Sequence, residues 1–475
     1  MIHTFKFLAL ALLAPLAALH AKAEPRPNIV FIVADDLNTE VGFMGDAYAK
    51  TPNLDRLAAQ STVFTNAQCQ APICGPSRNS FLTGKYPHHT GLYGLDPLFR
   101  DVPELAGLVA LPQYFRQNGY YSAGVGKIYH TNRDPLSFDN KNPGWFGGFG
   151  PFPDKPFNLD PALKATKFYD WGPYLKEEET CDYQVAQYAC RQIQEAARKN
   201  SPWFLAVGFF RPHCPLYAPK EWFDLHPLDA IKPVPDQSDD LKDVPQYALK
   251  LVNYNEQQKF NQWLHQKNLT AQYLQAYRAS VSFSDHCIGM VLDELKKSGL
   301  ENNTIVVVLG DQGVQNGKKN LWYKRTLWEK TAHVPLLIKT PAQISQRSVK
   351  TPVGLIDLYP TLCELAGLPV PDGLDGLSLA GLIAGSPGAE NRPPALTEHG
   401  PGNVSLRSER WRYMHYADGS EELYDHNTDR EERHNLASNP EYTPVIVKFK
   451  SYIPDTWKPF APGSKGMGSE QFPGK

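Results

Sequence analysis

Four stretches of the chain are apolar almost throughout, and each stops at side chains able to do chemistry. Asn28-Ile-Val-Phe-Ile-Val-Ala34 runs into Asp35-Asp36, and Tyr120-Tyr-Ser-Ala-Gly-Val125 into Gly126-Lys127 and then His130. Trp203-Phe-Leu-Ala-Val-Gly-Phe-Phe210 leads to Arg211-Pro-His213, and Thr304-Ile-Val-Val-Val-Leu-Gly310 to Asp311-Gln312-Gly313. Runs without polar alternation predict strands covered on both faces, as in a parallel sheet. Segments with helical spacing lie between them, at 53–60, 183–199 and 272–297. That alternation predicts an α/β fold, a large, mostly parallel sheet sandwiched by helices. Ligands of such sheets bind beyond the carboxyl ends of the strands. Polar residues often end strands for no further reason. Here four strand ends converge on the same chemistry, delivering Asp35, Asp36, Lys127, His130, His213, Asp311 and Gln312 to one edge.

The texture changes after about residue 368. Residues 369–375 are turn-rich, and short segments such as Trp411-Arg-Tyr-Met-His-Tyr416 and Glu422-Leu-Tyr424 follow without intervening helices. This predicts a catalytic domain over 24–368 and a smaller α+β subdomain with an antiparallel sheet over 369–475, ending in an irregular tail from Pro454. At the other end, Lys6, an apolar run over 7–19 and Ala21-Lys-Ala23 predict a signal peptide over 1–23, cut before Glu24. The run is too short to span a bilayer, and no later segment is apolar for long enough. The expectation is an exported protein, periplasmic or secreted, soluble after cleavage and without a membrane partner.

Lys and Arg total 48 against 50 Asp and Glu. A nucleic-acid binder would carry a basic excess, so nucleic acid is not an expected partner. A local cationic pocket for a small anion remains compatible with that balance. Seven cysteines in an exported chain leave disulfides open. Cys181 and Cys190 either pair or lie on one helix facing apart. The odd count leaves at least one thiol unpaired.

Cys74-Gly-Pro-Ser-Arg-Asn-Ser-Phe-Leu-Thr-Gly84 is the most specific string in the chain. It resembles the type I sulfatase signature C-x-P-S-R followed by L-T-G. A buried structural cysteine would explain Cys74 alone and leave the other matches unexplained. Pro27-Asn-Ile-Val with Asp35-Asp36, Thr51-Pro-Asn-Leu-Asp-Arg-Leu57, and Glu422-Leu-Tyr-Asp425 with Asn435-Leu436 also resemble that family, part of the alkaline phosphatase superfamily. Val125-Gly-Lys-Ile-Tyr-His130, Arg211-Pro-His-Cys-Pro215 and His333-Val-Pro-Leu336 resemble its iduronate-2-sulfatase branch most.

The resemblance implies an alkaline-phosphatase-like fold. It also implies that a formylglycine-generating maturation enzyme oxidises Cys74 to formylglycine. A hydrated aldehyde carries two hydroxyls on one carbon. One attacks sulfur and displaces the alcohol, leaving a sulfate hemiester, and loss of the other hydroxyl's proton expels sulfate. Asp35, Asp36, Asp311 and Gln312, with converted Cys74, make an oxygen-only donor set that suits a hard cation, and the family points to one Ca²⁺. The implied roles are Arg78 beside the nucleophile, and Lys127 and Lys324 on the sulfate oxygens. His130 is the implied acceptor of the proton that releases sulfate, and His213 the implied general acid at the leaving oxygen.

Two departures stand out. The branch usually has Asp-His-Gly or Asp-Asn-Gly where this chain has Asp311-Gln-Gly313. The branch's Leu-Gly-Glu-His-Gly is replaced by Gln315-Asn-Gly-Lys-Lys-Asn320, whose lysines face either an anionic sugar or solvent. His399 and Arg407 are further candidates for sugar contacts. The expectation is an exo-acting sulfatase on a sulfated saccharide. The alternatives are a phosphatase or phosphonate monoesterase on the same fold, or a saccharide-binding homologue without turnover.

Overall fold

A computed structural model describes residues 26–466 apart from 131–133, 142–143, 161–166, 200 and 342. The segment expected to be a signal peptide lies outside the described residues. The main sheet has seven strands: β1 (Asn28–Ala34), β2 (Thr62–Phe64), β3 (Tyr121–Gly126), β4 (Trp203–Phe209), β5 (Thr304–Gly310), β6 (Leu336–Lys339) and β7 (Arg347–Val349). Their order is β7-β2-β6-β5-β1-β4-β3. The four apolar runs are therefore the neighbours β5-β1-β4-β3, all parallel. The short strand β6 runs antiparallel to both β2 and β5, which makes the sheet mixed at that side.

Alternate residues of β1 feed two separate cores. Val30, Ile32 and Ala34 pack with helices α3 (Cys181–Ala196) and α4 (Thr270–Lys297), together with α1 (Pro52–Ala58). Ile29, Phe31 and Val33 pack on the other face with Phe81 of α2 (Cys74–Thr83) and with α5 (Leu358–Leu365). All seven β1 residues are buried, so truncating Phe31 to Ala would cost about 3–5 kcal/mol. A strand this deeply enclosed makes a rigid base for the loop that follows it.

The C-terminal part carries a four-stranded antiparallel meander: β8 (Ala395–Glu398), β9 (Val404–Arg407), β10 (Trp411–His415) and β11 (Glu421–Asp425). It is tied to the preceding part of the chain by buried polar contacts. Glu398 accepts from the His88 ring at 2.6 Å, and the Trp328 indole N–H donates to Glu422 at 2.9 Å. Glu329 pairs with Arg407 at 3.2 Å and also with Arg412, while Arg412 reaches Glu432 at 2.7 Å. The Glu329, His426 and Glu432 ligand atoms are close enough together for a metal. The two guanidinium groups already neutralise those carboxylates.

All seven cysteines are free thiols. Cys181 and Cys190 both lie on α3, where Cys181 donates to the Trp145 carbonyl and Cys190 to the Met290 carbonyl. They face different neighbours and do not pair. Among the described residues, no helix is long and apolar enough to cross a membrane.

Candidate active site

Asp35 and Asp36 follow β1 directly, and Asp36 takes a left-handed φ of 63°. That conformation is costly for a residue other than glycine and needs support from around it. Tyr277 of α4 supplies it: its hydroxyl donates to the Asp36 carbonyl at 2.9 Å and accepts from the Asn38 amide at 3.0 Å. The Asp36 amide itself donates to Asp311 Oδ1 at 3.1 Å, joining the ends of β1 and β5. Asp311 Oδ1 also accepts from the Gln312 amide at 3.0 Å, and its carbonyl accepts from Ser77 at 2.5 Å. The two acidic clusters, 275 residues apart in sequence, thus form one site.

Cys74 is the first residue of α2 and is buried. The positive end of a helix favours an anion at this position. Lys324 Nζ lies 3.0 Å from its sulfur and 2.6 Å from Asp36 Oδ1, and the Gln312 amide nitrogen lies 3.3 Å from the same sulfur. One turn along α2, Arg78 Nε donates to Asp311 Oδ2 at 2.7 Å and Nη2 reaches Asp35 Oδ1 at 3.3 Å. Arg78 Nη1 also donates to the carbonyls of Lys127 and Ile128. Lys127 is buried against Asp35. Close backbone approach aims it there: a Cβ at Gly208 would lie 2.1 Å from the Lys127 carbonyl oxygen, so only glycine fits.

The two histidines differ. His213 Nε2 stands 3.7 Å from Asp36 Oδ2, while its Nδ1 hydrogen-bonds the Cys214 carbonyl. That bond makes Nδ1 the N–H nitrogen and turns Nε2 toward the site. The loop is held from α3, where Asp182 accepts from the Phe210 and Arg211 amides, each at 2.8 Å. Burial alone would depress the His213 pKa, but the Asp36 carboxylate overcomes it and holds the imidazole well above its ordinary value. At His130 burial prevails and pushes the imidazole down, although a hydrogen bond from the Cys74 side opposes it.

Burial raises the pKa values of Asp36 and Asp311, and the charges of Asp35 and Cys74 add to it. Burial and Asp35 would raise that of Cys74 too, yet Lys127, Lys324 and the His130 hydrogen bond bring the thiol well below its ordinary value. A cation would relieve the crowding of carboxylates. Oxygens of Asp35, Asp36 and Asp311 lie within 4.8 Å of one another. Gln312 Oε1 is buried with no partner, while its amide nitrogen points at Asp36. A half-turn of that amide exchanges oxygen and nitrogen and would complete an all-oxygen cluster that fits a hard divalent ion.

The structure brings together Asp35, Asp36, Cys74, Arg78, Lys127, His130, His213, Asp311, Gln312 and Lys324. It does not bring Arg407, whose guanidinium is committed to Glu329 and to His426 at 2.9 Å. Lys318 pairs with Glu431. Lys319 is buried between Trp328 and Tyr424 and donates to the Glu432 carbonyl at 2.5 Å. Both lysines brace the loop against the C-terminal segment. His399 is buried and its pKa is pushed down to about 3 by burial and by Arg325, the residue after Lys324. Tyr277, Asp182 and Ser77 were not legible as site residues, since each acts through a contact set only by the tertiary fold.

A buried nucleophile at a helix start, beside clustered carboxylates at the carboxyl edge of an α/β sheet, defines an ester hydrolase that acts on an anionic group. The chain belongs to the sulfatase family: the Sulfatase family model matches residues 27–368. A second model, N-sulphoglucosamine sulphohydrolase, C-terminal, matches 317–458. The chain is 37% identical to a sulfatase of Formosa agariphila, over 92% of this chain and 88% of that one. It is 32% identical to the iduronate 2-sulfatase of Mus musculus, over 72% and 69%. Among solved structures, it resembles one in complex with D-glucosamine-2-N,6-O-disulfate, with TM-score 0.70 and 22% identity over 90% and 96% of the two chains. A phosphonate monoester hydrolase from Silicibacter pomeroyi shares the fold with TM-score 0.72 and 22% identity, over 90% and 94%.

Proposed function

We propose that this sulfatase is an exo-acting enzyme that removes sulfate from a sulfated saccharide, using the aldehyde form of Cys74 and one Ca²⁺. The observation that carries this reading is the place of Cys74. Its sulfur stands where the hydroxyls of the converted residue would stand, 3.0 Å from Lys324 and beside the carboxylate cluster. When bound, the ion would neutralise sulfate oxygens and make the attacking hydroxyl more acidic. Asp35, Asp36, Asp311 and the turned Gln312 amide would hold it.

The chain's own side chains supply the rest. Arg78 fixes Asp35 and Asp311 in one orientation and adds positive charge behind the nucleophile. Lys127 and Lys324 offer ammonium groups where charge gathers on the sulfate oxygens in the transition state. His213, whose Nε2 stands 3.7 Å from Asp36, gives a proton to the leaving alcohol oxygen. His130, on the Cys74 side, takes the proton whose loss releases sulfate.

An iduronate-2-sulfate-type glycosaminoglycan unit is the leading substrate, because the iduronate 2-sulfatase relatives match across 72% of the chain. Sulfated algal oligosaccharides follow, on the likeness to an ulvan-active sulfatase at 27% identity. The reading includes export, which rests on the 1–23 leader. It also includes the domain limits 24–368 and 369–475, and maturation by a formylglycine-generating enzyme that reads Cys74-Gly-Pro-Ser-Arg78. A desulfation screen on defined sulfated disaccharides, with aryl sulfate and aryl phosphate in parallel, tests it. Release of sulfate from a disaccharide and faster turnover of aryl sulfate support the reading. Preference for the aryl phosphate would replace it with a phosphomonoesterase.

A further inference from the structure

Phe149 lies on a turn that carries none of the sequence motifs, yet its ring touches two of the proposed active-site cations. Lys127 Nζ stands 4.8 Å from the ring centroid, and the His213 ring is 4.5 Å away, centroid to centroid, at 41°. The ring is caged on its other sides by Phe210 at 5.1 Å and 85°, Phe168 at 5.6 Å and 83°, and Trp145 at 6.2 Å and 80°. Its carbonyl is pinned by Arg211 Nη2 at 3.3 Å. Arg211 in turn donates to the Tyr217 and His213 carbonyls, so the same guanidinium fixes both the wedge and the loop it supports. Phe149 is only half-buried despite this cage.

We infer that Phe149 is a positioning residue that holds Lys127 and His213 in register for sulfate transfer. Three physical points support it. An aromatic face attracts an ammonium group through the ring quadrupole, which no aliphatic side chain does. The ring packed 4.5 Å from the imidazole adds a second restraint to the hydrogen bond His213 makes with the Cys214 carbonyl. A caged ring has little freedom to move aside, so its constraint passes to both neighbours. The inference rests on the roles proposed for Lys127 and His213.

The test exploits the leaving group. As the S–O bond to the alcohol breaks, its electron pair stays on oxygen, and the His213 Nε2 proton goes to that oxygen. An alkyl alcohol needs this proton, whereas a nitrophenolate leaves without it. Misplacing His213 therefore harms alkyl sulfates more than nitrophenyl sulfate. Formylglycine-bearing wild-type, Phe149→Leu, Phe149→Tyr and His213→Ala enzymes are compared on a series of alkyl and aryl sulfates, with melting temperature measured for each.

The expected result is that Phe149→Leu loses about tenfold more kcat/KM on an alkyl sulfate than on 4-nitrophenyl sulfate. Phe149→Tyr, which keeps the ring, stays near wild type, and His213→Ala shows the steepest dependence on leaving group. A flat Phe149→Leu series beside a steep His213→Ala series overturns the inference and leaves the reading of His213 standing. A flat His213→Ala series overturns both. If Phe149→Leu fails to fold, a Phe149→Tyr enzyme with the leaving-group dependence of His213→Ala overturns the inference, and one with the wild-type dependence bears it out.

Discussion

Replacing Arg78 with Met tests how the buried charges are balanced. Arg78 is 1% exposed and meets Asp311 at 2.7 Å, Asp35 at 3.3 Å and the Ile128 carbonyl at 3.1 Å. Methionine fills part of the volume but leaves buried Asp311 without its ion partner and Asp35 with Lys127 alone. Removing one member of a buried ion pair costs about 3–5 kcal/mol. Unfolding entropy of about 2.1 cal/mol/K per residue gives roughly 1 kcal/mol/K for a chain of this length. The melting temperature should therefore fall by about 3–5 °C in calcium-free buffer. Saturating Ca²⁺ should recover much of that loss, because an ion held at the proposed site would neutralise the same two carboxylates. Turnover should stay at least about 100-fold below wild type in either buffer, since Arg78 also orders the groups around the nucleophile. Differential scanning calorimetry with and without Ca²⁺, together with an aryl sulfate assay, measures all three. A variant that melts within 1 °C of wild type, at roughly 1 kcal/mol/K, and keeps its turnover would refute this balance of charges.

Chelating calcium should slow turnover far more than it lowers the melting temperature, because the proposed ion site lies at the rim of a sheet whose cores are independent of it. The paired readout is aryl sulfate rate and melting curve before and after chelation. The Glu329 network predicts a pH effect on stability. Burial opposes its ionisation, but Arg407, Arg412, His333 and His426 hold the carboxyl well below its ordinary value of 4.5. The unfolded chain binds the extra proton in the window below 4.5, so this stability is present above it and is lost as pH falls toward the folded value. Glu329→Gln should flatten the acid limb of the melting temperature profile, and an unchanged limb would contradict the network. Reducing agent should leave the melting temperature of the wild-type protein unchanged, since Cys181 and Cys190 of α3 face different carbonyls, those of Trp145 and Met290.

Much of this was legible in the sequence because strand interiors and strand ends carry their own signals. The runs at 28–34 and 304–310 became strands with those bounds. Asp35, Asp36, Asp311 and Gln312 met because their strands are neighbours; the alternation of strands and helices placed them only at one edge of the sheet. The three-residue β2 and the antiparallel β6 were not readable, being too short to show a period. The loop lysines could not be assigned from their spacing, since Lys319 is buried only by Trp328 and Tyr424 from distant segments. Phe149 gave no signal, because aromatic residues in turns are common and only the fold sets this one against Lys127 and His213.

The central claim is that Cys74 acts as an aldehyde. Mass spectrometry of the peptide spanning Cys74, from enzyme purified active from its native host, tests this most directly. The account predicts loss of the sulfur atom and reaction with a carbonyl-trapping hydrazide, in proportion to specific activity. Fully active protein whose Cys74 is quantitatively alkylated as a thiol would contradict it.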